Sequence, residues 1–150
     1  MKEVYYIYNN EAIASCIFLS VLNKVGEIDI ARSCLILPFL LDDRTINYLK
    51  REQESNVNLE QLINEYPRLF VSFNKRYLSL LPITINALMM LSKGNQINIE
   101  NQIKTVSNLN FENEELGNRF LKIEDVIPKL LTLLDEYSTA ELYKILKIQL

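Results

Sequence analysis

The chain has 150 residues, of which 49% are hydrophobic and 23% charged, with a net charge of −3 and a pI near 5.1. That is the size and composition of one ordinary folded domain spanning 1–150, and three glycines and four prolines leave little for linkers or disordered tails. The acidic balance argues against wholesale capture of phosphate backbones, which needs clustered Lys and Arg in excess.

Residues 4–8, Val-Tyr-Tyr-Ile-Tyr, are aromatic and β-branched and read as a short strand or a packed lead-in, after which Asn9 and Asn10 offer an N-cap. A first helix is predicted over 11–25. Ile13, Cys16, Ile17, Val21 and Leu22 recur along it at helical spacing, and Gly26 is placed to end it in the left-handed conformation. The seven residues 35–41 carry no charge and no hydrogen-bonding side chain, so every face of that segment should be covered by protein. Pro38 disfavours helical geometry at Leu37, which predicts a break or kink near that residue. Asp42 or Asp43 then caps a short helix that carries Ile46 and Leu49 inward and ends on Lys50 and Arg51. The polar run 53–57 reads as a loop.

Asn58 and Gln61 have the spacing of a capping box, opening a helix with Leu59, Leu62, Ile63 and Tyr66 that stops at Pro67. Residues 69–73 alternate loosely and read as extended. Beyond them Tyr77, Leu80, Leu81, Thr84, Ile85, Leu88 and Met89 trace one side of a longer helix, interrupted by Pro82 and ended by Gly94. In the stretch 96–106 Ile97 and Ile99 alternate with polar residues as a strand would, while Ile99, Ile103 and Val106 also fit a helix; a small hairpin turning near Glu100 and Asn101 is the preferred reading, and 107–110 reads as loop. A helix follows with Leu116, Phe120 and Ile123, its apolar face continuing through Ile127, Leu130, Leu131 and Leu134 past Pro128. Gly117 marks either close helix packing or a helix break. A second capping box, Ser138 to Glu141, opens the last helix.

Little here resembles catalytic machinery. The chain has no histidine, and Cys16 and Cys34 sit apart among apolar neighbours, as buried reduced thiols would. Asp42 and Asp43 diverge on a helix instead of converging on one ion, and Glu112, Glu114 and Glu115, like Glu124–Asp125 and Asp135–Glu136, lie near helix ends as dipole partners or solvated charge. No phosphate-binding loop fits the glycines at 26, 94 and 117, and no serine sits in a nucleophile pattern. A non-enzymatic domain without metal or cofactor is expected. The basic residues Arg44, Arg68, Lys75 and Arg76, with Tyr77 beside them, are the candidate contacts to a partner, Arg44 and Arg76 being read as exposed. The Leu- and Met-rich segment 80–91 reads as core, part of which could be left for a partner subunit. The opening residues lack the basic and apolar regions of a secretory leader, and no apolar run approaches the roughly 20 residues that span a bilayer, so a cytoplasmic protein off the membrane is expected.

Asn-Asn-Glu-Ala-Ile-Ala at 9–14, Leu-Ile-Leu-Pro-Phe-Leu-Leu-Asp-Asp-Arg-Thr at 35–45, Tyr66-Pro67-Arg68-Leu69, Phe73-Asn74-Lys75-Arg76 and Asn86-Ala87-Leu88 form a connected pattern. Glu115-Leu116-Gly117-Asn118-Arg119-Phe120 and the closing 144–148 complete it. In order and spacing it resembles the middle component of the bacterial three-component ABC systems, along nearly the whole chain. The resemblance implies a mainly α, compact multi-helix fold with a small β-hairpin as a winged-helix-like element. It further implies a non-enzymatic adaptor between an SMC-like ABC ATPase and a variable third component, in defence against phage and other invading DNA. DNA would be met only through the complex, and homodimerisation is left open. The competing expectation is a winged-helix regulator that binds DNA directly through the hairpin and the Lys75–Arg76 cluster.

Overall fold

The computed structural model describes residues 2–51, 57–106 and 117–150, with backbone only for 2–10. The fold is mainly α, with one small antiparallel sheet. Helix α1 (Lys2–Val25) is followed by β1 (Glu27–Asp29) and the short helices α2 (Ile30–Ser33), α3 (Ile36–Leu40), α4 (Asp43–Arg51) and α5 (Leu59–Glu65). A 3-10 turn (Pro67–Leu69) leads to α6 (Phe73–Lys93), then β2 (Ile97–Ile99), β3 (Gln102–Thr105), α7 (Gly117–Asp135) and α8 (Thr139–Ile145).

Local chemistry sets most of the boundaries. Gly26, with φ of +80°, stops α1, its N–H donating to the Leu22 carbonyl at 2.8 Å. Asp42 caps α4 by accepting from both the backbone N–H and the hydroxyl of Thr45, at 3.2 and 2.7 Å. Both capping boxes form, Asn58 with Gln61 and Ser138 with Glu141. At the end of α6 Gly94 is the C-cap, but the left-handed residue is Asn95. Asn95 and Gln96 donate back to the carbonyls of Ser92 and Leu91, the paired bonds of a Schellman motif, and Asn tolerates the positive φ that the motif requires. Gly117, with φ of +84°, begins α7, and a Cβ there would meet nothing within 4 Å, so it marks a break and not a close packing.

Three expectations are corrected. Residues 4–8 are neither strand nor separate lead-in: α1 runs from Lys2 through Asn9 and Asn10, which are interior residues and not caps. Leu37 is helical, because Pro38 falls in the first turn of α3, where the missing N–H would have had no helical acceptor; the break lies at Cys34 and Leu35. Residues 69–73 are turn and helix start, since Leu69, Phe70 and Val71 all donate back to carbonyls of Tyr66 or Pro67. The loops read at 53–56 and 107–110, Leu116 and the carboxylates of Glu112, Glu114 and Glu115 lie outside the described residues.

The core is built around α3, all five of whose residues are buried, as is Leu35 before it. Burying each such Leu, Ile or Phe contributes roughly 1.5–3 kcal/mol over leaving it in water. Phe39 lies 4.7 Å from Phe73 between ring centroids, which ties α3 to the start of α6. Helix α1 packs on α6 and α7, α4 packs on α7, and α3 packs on α6 and α4.

The sheet has the order β1-β3-β2, all antiparallel. Register aligns Ile28 and Ile99 with Ile103 across one face, which turns toward the core, while Lys104 pairs with Glu27 at 3.5 Å on the other. The hairpin β2–β3 turns at Glu100 and Asn101 as the alternation predicts; β1, only three residues long, is recognised only through its pairing to β3. Helix, strand, helices and a hairpin follow in this order, with the first strand against the second strand of the hairpin, an order similar to that of a winged helix but with all of α2 to α6 between β1 and the hairpin.

One polar corner fixes how the ends of the chain meet. Asp29 caps α2 by accepting from the Arg32 N–H at 2.7 Å, and its other oxygen accepts from the Thr139 hydroxyl at 2.7 Å. The Arg32 guanidinium donates to Thr139 Oγ1 and the Leu134 carbonyl, each at 3.1 Å, and to the Tyr137 carbonyl. A cation thus sits on the negative end of α7.

Candidate interaction surfaces

Helix α6 has two apolar sides. Phe73, Tyr77, Thr84, Ala87, Leu88 and Leu91 are buried against α1 and α3. Leu78, Ile85 and Met89 remain 45%, 50% and 49% exposed, and Pro82 between them is exposed too. At about 100° per residue these four positions fall within about 60° of one another, a continuous stripe turned away from the core. The expectation that Ile85 and Met89 share the buried side with Tyr77 and Leu88 is therefore corrected: the helix is apolar around more of its circumference than one core can cover. Lys75, also exposed, lies one turn before Leu78 and opens the stripe at its N-terminal end.

The other basic residues separate. Arg44 and Arg68 are exposed and line one cleft of about 580 Å³ between α4 and the 3-10 turn, together with Arg51, which the sequence marks only as a helix-end charge. Tyr48 and Tyr66, their rings 4.6 Å apart, pin the two walls together. Arg76 is not exposed as expected. Its guanidinium donates to the carbonyls of Pro38 (3.1 Å) and Leu69 (3.0 Å) and to the Ser72 hydroxyl (2.9 Å), and lies over the Phe73 ring. Burial pulls this guanidinium below its ordinary value, with Asp42 opposing. Arg76 thereby clamps to α3 the turn that carries Arg68.

A larger cleft, of about 980 Å³, lies between α4, α5 and α7. Its charges are mixed, Lys50 and Lys129 with Asp125 and Glu136, and Lys129 already donates to the Leu49 carbonyl at 3.0 Å. Cys16 and Cys34 are free and half-buried, and burial pushes both thiols up, away from the reactive thiolate. Tyr143 donates to the Ala31 carbonyl at 2.6 Å and meets Tyr77 at 3.1 Å, a contact that docks α8 and raises its phenol through burial. No helix among the described residues is long and apolar enough to cross a membrane.

A family model described as ABC-three component (ABC-3C) system Middle Component 3 matches residues 2–150. The chain belongs to that family. Neither a curated protein nor a solved structure matches significantly. As an ABC-3C middle component the chain is part of a multi-component system.

Proposed function

We propose that this middle component is a non-enzymatic adaptor, docking on an SMC-like ABC ATPase and joining it to the variable third component of a bacterial defence system directed at phage or other invading DNA. It works in the cytoplasm and meets DNA only through the complex. The observation that carries the reading is the exposed stripe of Leu78, Pro82, Ile85 and Met89 on α6, in a chain of this family. Apolar side chains in a row on one helix face gain from being covered by another protein, and a helix-in-groove contact anchored at such spacings is a common way of covering them.

Co-expression with the products of neighbouring genes, purification through a tag on this chain and mass measurement test it. A stoichiometric complex with an ABC ATPase is expected, lost on Ile85→Asp. A protein that purifies alone, whatever it is expressed with, overturns the adaptor reading.

The winged-helix-like order of elements favours a second reading, a regulator that binds duplex DNA directly. In that role α6, the helix before the hairpin, would face the major groove. Its outward face is apolar, Arg76 is committed to internal carbonyls, and Lys104 of the hairpin is paired with Glu27, so the adaptor reading has the better chemistry. Salt-dependent binding of duplex DNA by the isolated protein would reverse that ranking.

A further inference from the structure

The cleft between α4 and the 3-10 turn differs in kind from the α6 stripe. Its described charged lining is three arginines, Arg44, Arg51 and Arg68, against the single carboxylate of Glu65, in a chain whose net charge is −3. Arg44 and Arg51 are seven residues apart on α4, two turns, so both project from one side of the helix about 10 Å apart along its axis. Arg68 stands on the opposite wall, held by the Arg76 clamp on Leu69 and by the packing of Tyr66 on Tyr48. Arg51 donates from Nε to its own helix, to the Asn47 carbonyl at 3.3 Å, and Arg44 keeps a long contact of 4.0 Å to Asp42. The terminal guanidinium nitrogens, the part of the fork that grips a carboxylate, have no hydrogen-bond partner among the described residues in either case.

We infer that this cleft binds an extended acidic segment of a partner protein, with carboxylates three residues apart meeting Arg44 and Arg51 and a further carboxylate or the backbone meeting Arg68. In the polyproline II form of an extended chain every third side chain returns to the same face after about 9 Å, close to the separation of the two α4 arginines. The occupant is a peptide and not a nucleic acid because the basic track is interrupted. Glu65 lies in the cleft and Asp42 beside Arg44, so a backbone with a charge on every link meets like charge, whereas a peptide places neutral residues there. The inference rests on the adaptor reading and names the chemistry of one of its contacts.

The test uses the full chain and fluorescence anisotropy of a labelled peptide with glutamate at every third position, against the same peptide with glutamines. The glutamate peptide binds, weakens with added salt, and loses about tenfold or more in affinity to R51E/R68E, in keeping with the loss of charge-assisted pairs. Circular dichroism of R51E/R68E, both positions being exposed, reports an unchanged fold. Equal affinity of the two peptides, or no effect of R51E/R68E, overturns the inference. So does tighter binding of an oligonucleotide at the same arginines. Binding that emerges only in E52Q/E54Q assigns the cleft to the chain's own residues after α4 and likewise overturns it. Co-purification separates this from the broader reading: if Ile85→Asp dissolves the complex while R51E/R68E leaves it intact and the peptide unbound, the adaptor reading stands and the cleft assignment falls. If wild type captures no partner, the adaptor reading falls and the peptide titration still decides the cleft.

Discussion

The corner where β1 and α2 meet the α7–α8 junction and the outward side of α6 are opposites. In the corner, Asp29, Arg32 and Thr139 satisfy one another and the carbonyls of Leu134 and Tyr137 at the end of α7. On α6, apolar side chains are left about half exposed to water. Polar groups that bond internally fix a frame, and surface that gains from being covered is kept for association. The difference teaches that charge on this protein is not by itself a sign of a binding site: Arg32 and Arg76 are structural, while Leu78 and Ile85 are the groups left to be covered.

The largest expected effect breaks the first side of that contrast. Arg32→Ala strands the carbonyls of Leu134 and Tyr137, while Asp29 keeps the backbone N–H of residue 32 and the Thr139 hydroxyl, and should cost about 3 kcal/mol in urea denaturation, given the usual worth of charge-assisted hydrogen bonds. Association with partners should survive wherever the variant is folded. Ile85→Asp is the converse: co-purification falls about tenfold or more, while folding stability moves by no more than about 0.5 kcal/mol, because the position is half exposed. Should Ile85→Asp unfold the protein instead, the α6 stripe is part of the frame and the contrast dissolves.

Thr84 sharpens the picture from inside α6. Its hydroxyl is buried on the core side without a hydrogen-bond partner, so Thr84→Val, nearly the same shape, should stabilise by about 1 kcal/mol in the same denaturation experiment. The smallest effect is one of pH. The backbone N–H of Ser138, and then its side chain, hold the Glu141 carboxyl below its ordinary value. A depressed folded pKa means that the α8 cap contributes fully above the unfolded carboxylate value and loses its contribution as pH falls through the folded one. Glu141→Gln should flatten that part of an acid-denaturation curve, and an unchanged curve would show that the cap does not couple to pH.

What the sequence reveals divides along the range of the forces involved. The capping boxes, the Asp42 cap, the stop at Gly26 and the hairpin are local, decided by residues within a few positions, and they are legible. The run 4–8 is misleading because its β-branched and aromatic residues have strand propensity, which the continuous helix overrides. The strand β1 has too few residues to carry a period and exists through Ile28 opposite Ile103. For the surfaces, Arg44 and Arg68 are readable as free charge, yet nothing in their spacing predicts that they share a cleft with Arg51. Arg76 looks like its neighbour Lys75 until the carbonyls of Pro38 and Leu69 are brought to it. Periodicity finds the apolar sides of α6 but cannot say which one the core has room for.

The order β1-β3-β2 leaves β1 and β2 as the outer strands, each with three residues. A template for strand addition needs length, and cross-β stacking draws on segments of about six or seven residues. The sheet therefore offers little foothold for fibrils, and the adhesive surface is helical. Any precipitate formed by protein produced without its partners should be amorphous and helix-containing, with no cross-β spacing in diffraction. Such material should be recoverable by supplying whatever covers α6 during expression.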